Sequence, residues 1–196
     1  MLDTRNYDRD LTDVYYNTKF VDSIHKGENR SIMGLKQEKW LEQQLLHSKS
    51  RGAVWRIIGQ QVVFTQLNLL GTYNLDSWDG YTANRKRVLD LLYKRKIDNT
   101  VILSGDSHAN WVSDLAYPND TITYNSTTGQ GAIGVEFAGT AVSSPSPLGE
   151  GISPVVADTV SKQLVASNPD LQWSESSWRG FFTLSITPNN LTAKQV

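Results

Sequence analysis

Between Asp98 and Trp111 a short apolar segment, Val101-Ile-Leu-Ser104, runs through Gly105 directly into Asp106-Ser-His108. A strand without a polar face must be covered on both sides, so it suits the centre of a sheet buried under other layers. Upstream, Ala53-Val-Trp-Arg-Ile-Ile58 is β-branched and aromatic and reads as a strand passing through Gly59 into Gln60-Gln-Val-Val-Phe64. Asp76-Ser-Trp-Asp-Gly-Tyr81 is a turn cluster able to cap the next helix, in which Tyr81, Arg85, Val88, Leu89 and Leu92 keep helical spacing to about Lys94. Strand, loop, helix and strand in that order make a crossover unit, and the class that follows is α/β with a mixed sheet.

The rest of the chain fits around this unit. Leu35 to His47 is rich in Lys, Gln, Glu and Leu, and Trp40, Leu41, Leu45 and Leu46 form the apolar stripe of an amphipathic helix. Ala132–Phe137 and Gly180–Thr187 read as strands, and Pro154–Val165 reads as a helix with Ser153 at its cap. Pro188-Asn-Asn190 turns the chain back into its last residues. Residues 1–31 are polar, with Tyr7, Tyr15, Tyr16 and Phe20 as their apolar mass; they read as a surface loop that nucleates no core. A structureless opening of this length is unusual inside a compact domain and resembles the middle of one.

The 196 residues suffice for one domain, and no linker divides them. A net charge of −1 with acidic and basic residues interspersed excludes an electrostatic footprint for nucleic acid or an anionic membrane. No apolar run is long enough to span a membrane, and the first ten residues are too charged for a signal peptide. The absence of cysteine removes disulfides, thiolate metal sites and cysteine nucleophiles. Sequons at Asn29, Asn119, Asn125 and Asn190 point toward a secreted or cell-surface glycoprotein, although a chain rich in Asn, Ser and Thr produces some by chance.

The chemistry concentrates after the apolar strand. Glycine at 105 suits a sharp turn, and Asp106, Ser107, His108 and Asn110 offer the oxygen and imidazole donors that hold a divalent cation. The same residues would also serve a plain strand-to-loop turn, with Asp106 bonded to its own backbone. A serine hydrolase is a weak reading, because Ser104 lacks the Gly-x-Ser-x-Gly elbow.

Several motifs in order resemble the PhoD-like alkaline phosphatases of the calcineurin-like metallophosphatase superfamily. They are Leu2-Asp-Thr-Arg5 with Tyr7; Gly34-Leu35 with Gln37, Trp40, Leu41 and Leu45; Trp55 to Val62; Asp76-Ser-Trp-Asp-Gly-Tyr81 with Arg85; and Val101 to Trp111 with Asp114-Leu115. Val135-Glu-Phe-Ala-Gly-Thr140 with Ser143-Ser144, and Trp178-Arg-Gly180, extend the resemblance over nearly the whole chain. It implies part of a four-layer αββα sandwich with mixed β-sheet, and metal-dependent hydrolysis of phosphate mono- or diesters. Within it His108 is the expected metal ligand, with Asp106 either ligating or orienting it. Asp3, Arg5 and Asn110 are the expected catalytic residues, Arg5 either gripping a phosphate or making a structural ion pair. Ca and Fe are the family's expected metals, with Mn or Zn as substitutes.

The chain departs from that pattern in one respect. The Gly-Asp-x-x-Tyr and Trp-Asp-Asp-His motifs that carry most of the family's metal ligands are absent, as is a ligand cysteine. Residues 1–196 thus read as the C-terminal portion of the catalytic domain, inactive alone because a hard cation wants about six ligands. The alternative is a noncatalytic remnant or partner-binding domain. Half a sandwich should also expose an apolar sheet face and self-associate, with the strands at 54–58 and 101–104 short of partners.

Overall fold

The computed structural model describes residues 1–196, and in it the apolar strand is paired on both edges. In chain order the elements are α1 (Thr18–Ile24), α2 (Gly34–Ser50), β1 (Arg56–Gly59), a 3-10 turn (Trp78–Tyr81), α3 (Thr82–Lys94), β2 (Thr100–Ser104), β3 (Asn110–Asp114), β4 (Gly134–Ala138), α4 (Pro154–Ser167), β5 (Leu171–Glu175), β6 (Phe182–Ile186) and β7 (Leu191–Gln195). One mixed sheet has the order β1-β2-β4-β3-β5, and β6-β7 form a separate hairpin. β1, β2 and β4 run parallel, with α3 as the expected crossover, while β3 is antiparallel to both β4 and β5.

Register assigns each side chain to a face. Ile58, Ile102, Glu136, Ser113 and Leu171 form one row across the sheet, on the face covered by helices. Leu41 and Leu45 of α2 and Val88, Leu89 and Leu92 of α3 pack there with Ile58 and Ile102. Leu164 of α4 covers Trp111, Ala138 and Leu171 at the other end. On the opposite face Leu103, Phe137, Val112 and Trp173 are aligned, and the β6-β7 hairpin lies across it. Phe182 meets Phe137 with ring centroids 6.0 Å apart, Gln195 Nε2 donates to Asn110 Oδ1 at 2.9 Å, and the Trp55 indole donates to the Thr187 carbonyl at 2.7 Å. The α/β class and mixed sheet expected from sequence are present, and the second sheet is a two-stranded one. Two strands are narrower than five, so Ile57 and Trp173 near the edges remain 44% and 40% exposed.

Several local expectations fail for identifiable reasons. β2 is not short of partners: it is bonded to β1 and β4, and Val101 and Ile102 are buried. Trp40 leaves the α2 stripe and is exposed, because one residue along a helix turns the side chain about 100° from Leu41. Residues 60–64 do not continue β1. The last ladder bond is Gln60 N–H to Leu103 O, after which the Gln60 side-chain oxygen accepts from Val62 N and turns the chain away. The opening segment does enter the core: Leu2 and Val21 are buried, and it leads directly into the buried Ile32 and Met33. Two glutamines hold its first residues, which precede α1 and have no regular structure. Gln61 accepts from Thr4 N at 2.7 Å and donates to Leu2 O, and Gln37 accepts from Asp3 N and donates to Asp3 O, each at 2.8 Å. No helix is long and apolar enough to cross a membrane.

Candidate active-site cleft

The carboxyl ends of β1 and β2 open into a cleft of about 870 Å³, the position where open α/β sheets place their ligands. Past Ser104 the chain turns through Asp106 and His108, whose φ values of 61° and 58° lie in the left-handed region. Gly105 does not carry this turn: its φ is not positive, and an added Cβ would meet only Gln61 O at 3.6 Å. Two non-glycine residues so close together in that region are uncommon and concentrate at ligand sites.

His108 Nδ1 lies 3.1 Å from the Pro145 carbonyl oxygen. A carbonyl only accepts, so Nδ1 bears a proton, and it is Nε2 that a metal would take as its ligand atom. Asp106 Oδ2 pairs with Arg5 Nη1 at 3.2 Å, and the same guanidinium nitrogen reaches Asp76 Oδ2 at 2.6 Å. Asp76 is the hub. Its carboxylate also forms an ion pair with Arg9 at 2.9 Å and accepts from the Thr12 hydroxyl at 2.6 Å. Burial alone would raise the Asp76 carboxyl, but the Thr12 hydroxyl and Arg5, aided by the charge of Arg9, hold it below its usual value. With Asp13, three carboxylates face two guanidiniums in the cleft lining, which suits a bound cation better than a bare anion.

Arg5, Asp106 and His108 are thus brought together, whereas Asp3 and Asn110 are not among the cleft-lining residues. Asp3 Oδ1 accepts from Arg5 N and Asn6 N at 3.0 and 2.8 Å, forming the turn that presents Arg5. Asn110 is buried, and its oxygen accepts from Thr140 N and Gln195 Nε2 while its amide donates to Glu175. Trp78, Asp79 and Tyr81 serve the scaffold as expected from the turn cluster. Asp79 pairs with Arg85 at 2.6 Å, both nearly sealed from solvent, and Ser77 accepts from Asp79 N to cap the turn. No group of three or more His, Cys, Asp or Glu side chains converges to hold a metal. Asp106 and His108 fit two positions of such a site and no more.

Sequence reasoning missed Asp76 as the hub and Arg9 beside it. Glu136 is buried under the helices, accepts from Phe64 N at 2.7 Å and Thr65 N at 2.8 Å, and receives the Ser104 hydroxyl. The only sequence sign was a single acidic residue inside an apolar strand.

Comparison with known proteins identifies the family and the fold. The family model for PhoD-like phosphatase matches residues 1–195. Alkaline phosphatase D of Bacillus subtilis (strain 168) is 33% identical over 198 residues, covering 98% of this chain and 31% of the relative. A solved structure titled "Structure of PhoD" superposes with a TM-score of 0.71 at 30% identity, covering 98% of this chain and 34% of that one. The chain therefore spans about a third of the length of the relatives it matches. On the strength of the family match across nearly every residue, this chain belongs to the PhoD-like phosphatase family.

Proposed function

We propose that this chain supplies part of the active site of a metal-dependent phosphatase acting on phosphate mono- or diesters. The observation that carries the reading is the His108 ring, fixed through Nδ1 on Pro145 O with its Nε2 free, two residues from a carboxylate in the same cleft. His108 and Asp106 would hold one cation, and its remaining ligands would come from residues outside this segment. A hard cation held there would draw charge from phosphate oxygens and lower the pKa of a bound water. Ca and Fe remain the metals expected from the family, with Mn or Zn as substitutes. Arg5 orients Asp106 and retains further N–H groups for a phosphate oxygen, since a guanidinium has five. Asp3 fixes the backbone from which Arg5 projects. Asn110 braces β3 against the hairpin. The exposed Asn29, Asn119, Asn125 and Asn190 support a secreted or cell-surface location.

Calcium or iron titration followed by NMR of the His108 imidazole tests the ligand assignment. The signal should move in the wild type, and the remaining cation response should fall at least tenfold in affinity in His108→Ala. An unchanged response in that variant would remove His108 from the site. Turnover of nitrophenyl and bis-nitrophenyl phosphates should be absent in the 196-residue chain and present in a longer one containing the other ligands. Turnover by the short chain alone would overturn the division of ligands. A noncatalytic partner-binding role is favoured only by the exposed Leu11, Tyr15, Tyr16 and Phe20, and it requires that the longer chain be inactive too.

A further inference from the structure

The cleft is larger than a phosphate needs. Its ≈ 870 Å³ lies in the range of sites that enclose a drug-sized molecule, and the polar cluster around Asp76 occupies one part of the lining. The rest is apolar. Leu67, Trp111 and Leu164 belong to one hydrophobic cluster, and Leu69 and Val160 pack half-buried against it while lining the same cleft. The two linings meet at Ser107, which stands between Asp106 and His108 and accepts the Trp111 indole N–H at 2.7 Å. The apolar wall therefore begins one side chain from the residues proposed to hold a cation.

That wall is held in a fixed shape. Residues 64–68 have left the sheet, and buried side chains replace the missing strand partner. Glu136 accepts from Phe64 and Thr65, Asp79 from Leu67 at 3.2 Å, and Asn168 from Asn68 at 2.7 Å. Acceptors from β4, the 3-10 turn and the end of α4 converge on one loop, which is the kind of second support that a recognition surface needs.

Building on the phosphoesterase reading above, we infer that this wall is the subsite for the alcohol half of the substrate, and that the esters it favours are those of apolar alkyl or aryl alcohols. A polyol would turn hydroxyls toward Leu67, Trp111 and Leu164, where they find no partner. An alkyl group leaves water there, with affinity rising roughly fourfold for each buried methylene.

The test is an NMR titration of the 196-residue chain with 1-alkanols from butanol to octanol without cation, and of the longer chain containing the other ligands with the matching n-alkyl phosphonates in the presence of Ca²⁺. Alkanol Kd should fall roughly fourfold per methylene, with shifts at the Leu69, Val160 and Leu164 methyls and the Trp111 indole. Val160→Asn and Leu69→Asn should each weaken octanol binding roughly tenfold; Leu69 lies in a turn, so its variant keeps the experiment interpretable if the helical one misfolds. Octanol that moves none of these signals, or affinity independent of chain length, overturns the subsite even if the phosphonates bind. Phosphonates that bind no tighter than the alkanols of equal length, with octanol still seated on the wall, remove the phosphate reading. They also remove the wall's assignment to an alcohol group.

Discussion

Asp170 gives the sharpest quantitative test of the structure. It lies between α4 and β5, 7% exposed, with Oδ2 buried and without a hydrogen-bond partner. Burial pushes its carboxyl up to about 7; its own backbone N–H and Arg85 oppose the shift, while Glu136 and Asp79 add to it. In the unfolded chain the same group titrates near the ordinary aspartate value of about 3.9. The folded state therefore keeps a proton that the unfolded state has already lost, and the resulting stability is complete below about pH 4 and disappears as pH rises through about 7. In the middle of that window the folded form binds about one more proton, so about 1.4 kcal/mol is lost per pH unit. The full effect is at most about 4 kcal/mol. For a domain of this size each kcal/mol moves Tm by roughly 2–4 °C, so heating scans between pH 5 and pH 7 should show Tm falling by roughly 3–6 °C per unit from this residue. Asp170→Asn cannot lose a proton, and its curve should be flatter by that amount, crossing above the wild type at pH 8. Parallel curves for the two proteins would show that Asp170 is not the buried acid described here.

Other outcomes follow from single contacts. Glu136→Gln turns an amide donor toward backbone donors and loses charge-assisted bonds to Phe64 and Thr65; it should cost about 2–3 kcal/mol by urea unfolding and speed hydrogen exchange at both amides. Gly34 sits at φ 71°, and an added Cβ would lie 2.4 Å from the exposed Asp8 side chain. Because the Asp8 Cβ at 2.4 Å is fixed by its own backbone, Gly34→Ala should cost more than the left-handed penalty of about 1–2 kcal/mol in a thermal scan. Leu89 is 1% exposed within the main cluster, and Leu89→Ala should lower stability by about 2–5 kcal/mol in denaturant titration.

The parts legible in the sequence are those set by local pattern. Helical spacing from Tyr81 to Leu92 gave α3, the uniform apolar run gave β2, and Ser153-Pro154 marked the start of α4, where Ser153 accepts from Val156 N. β3 and β5 escaped detection because Asn-Trp-Val-Ser-Asp and Leu-Gln-Trp-Ser-Glu mix polar residues into both faces. Their partners, and not their composition, make them strands. The cleft divides in the same way. Asp106 and His108 are neighbours in sequence and could be picked out as a pair. Asp76 acts through Arg5, Arg9 and Thr12, at least 64 positions away, and Glu136 through amides 71 and 72 positions away. Such long-range partners leave no local spacing to read.

The left-handed backbone at 106 and 108 governs how the pair can be probed. Asparagine tolerates that conformation nearly as well as aspartate or histidine, whereas a β-branched residue resists it. Asp106→Asn and His108→Asn therefore change the donor atoms while leaving the bend intact, and a valine at either position would disturb the main chain as well. A comparison of the two substitutions at one position separates what the functional group does from what the curvature of the loop does.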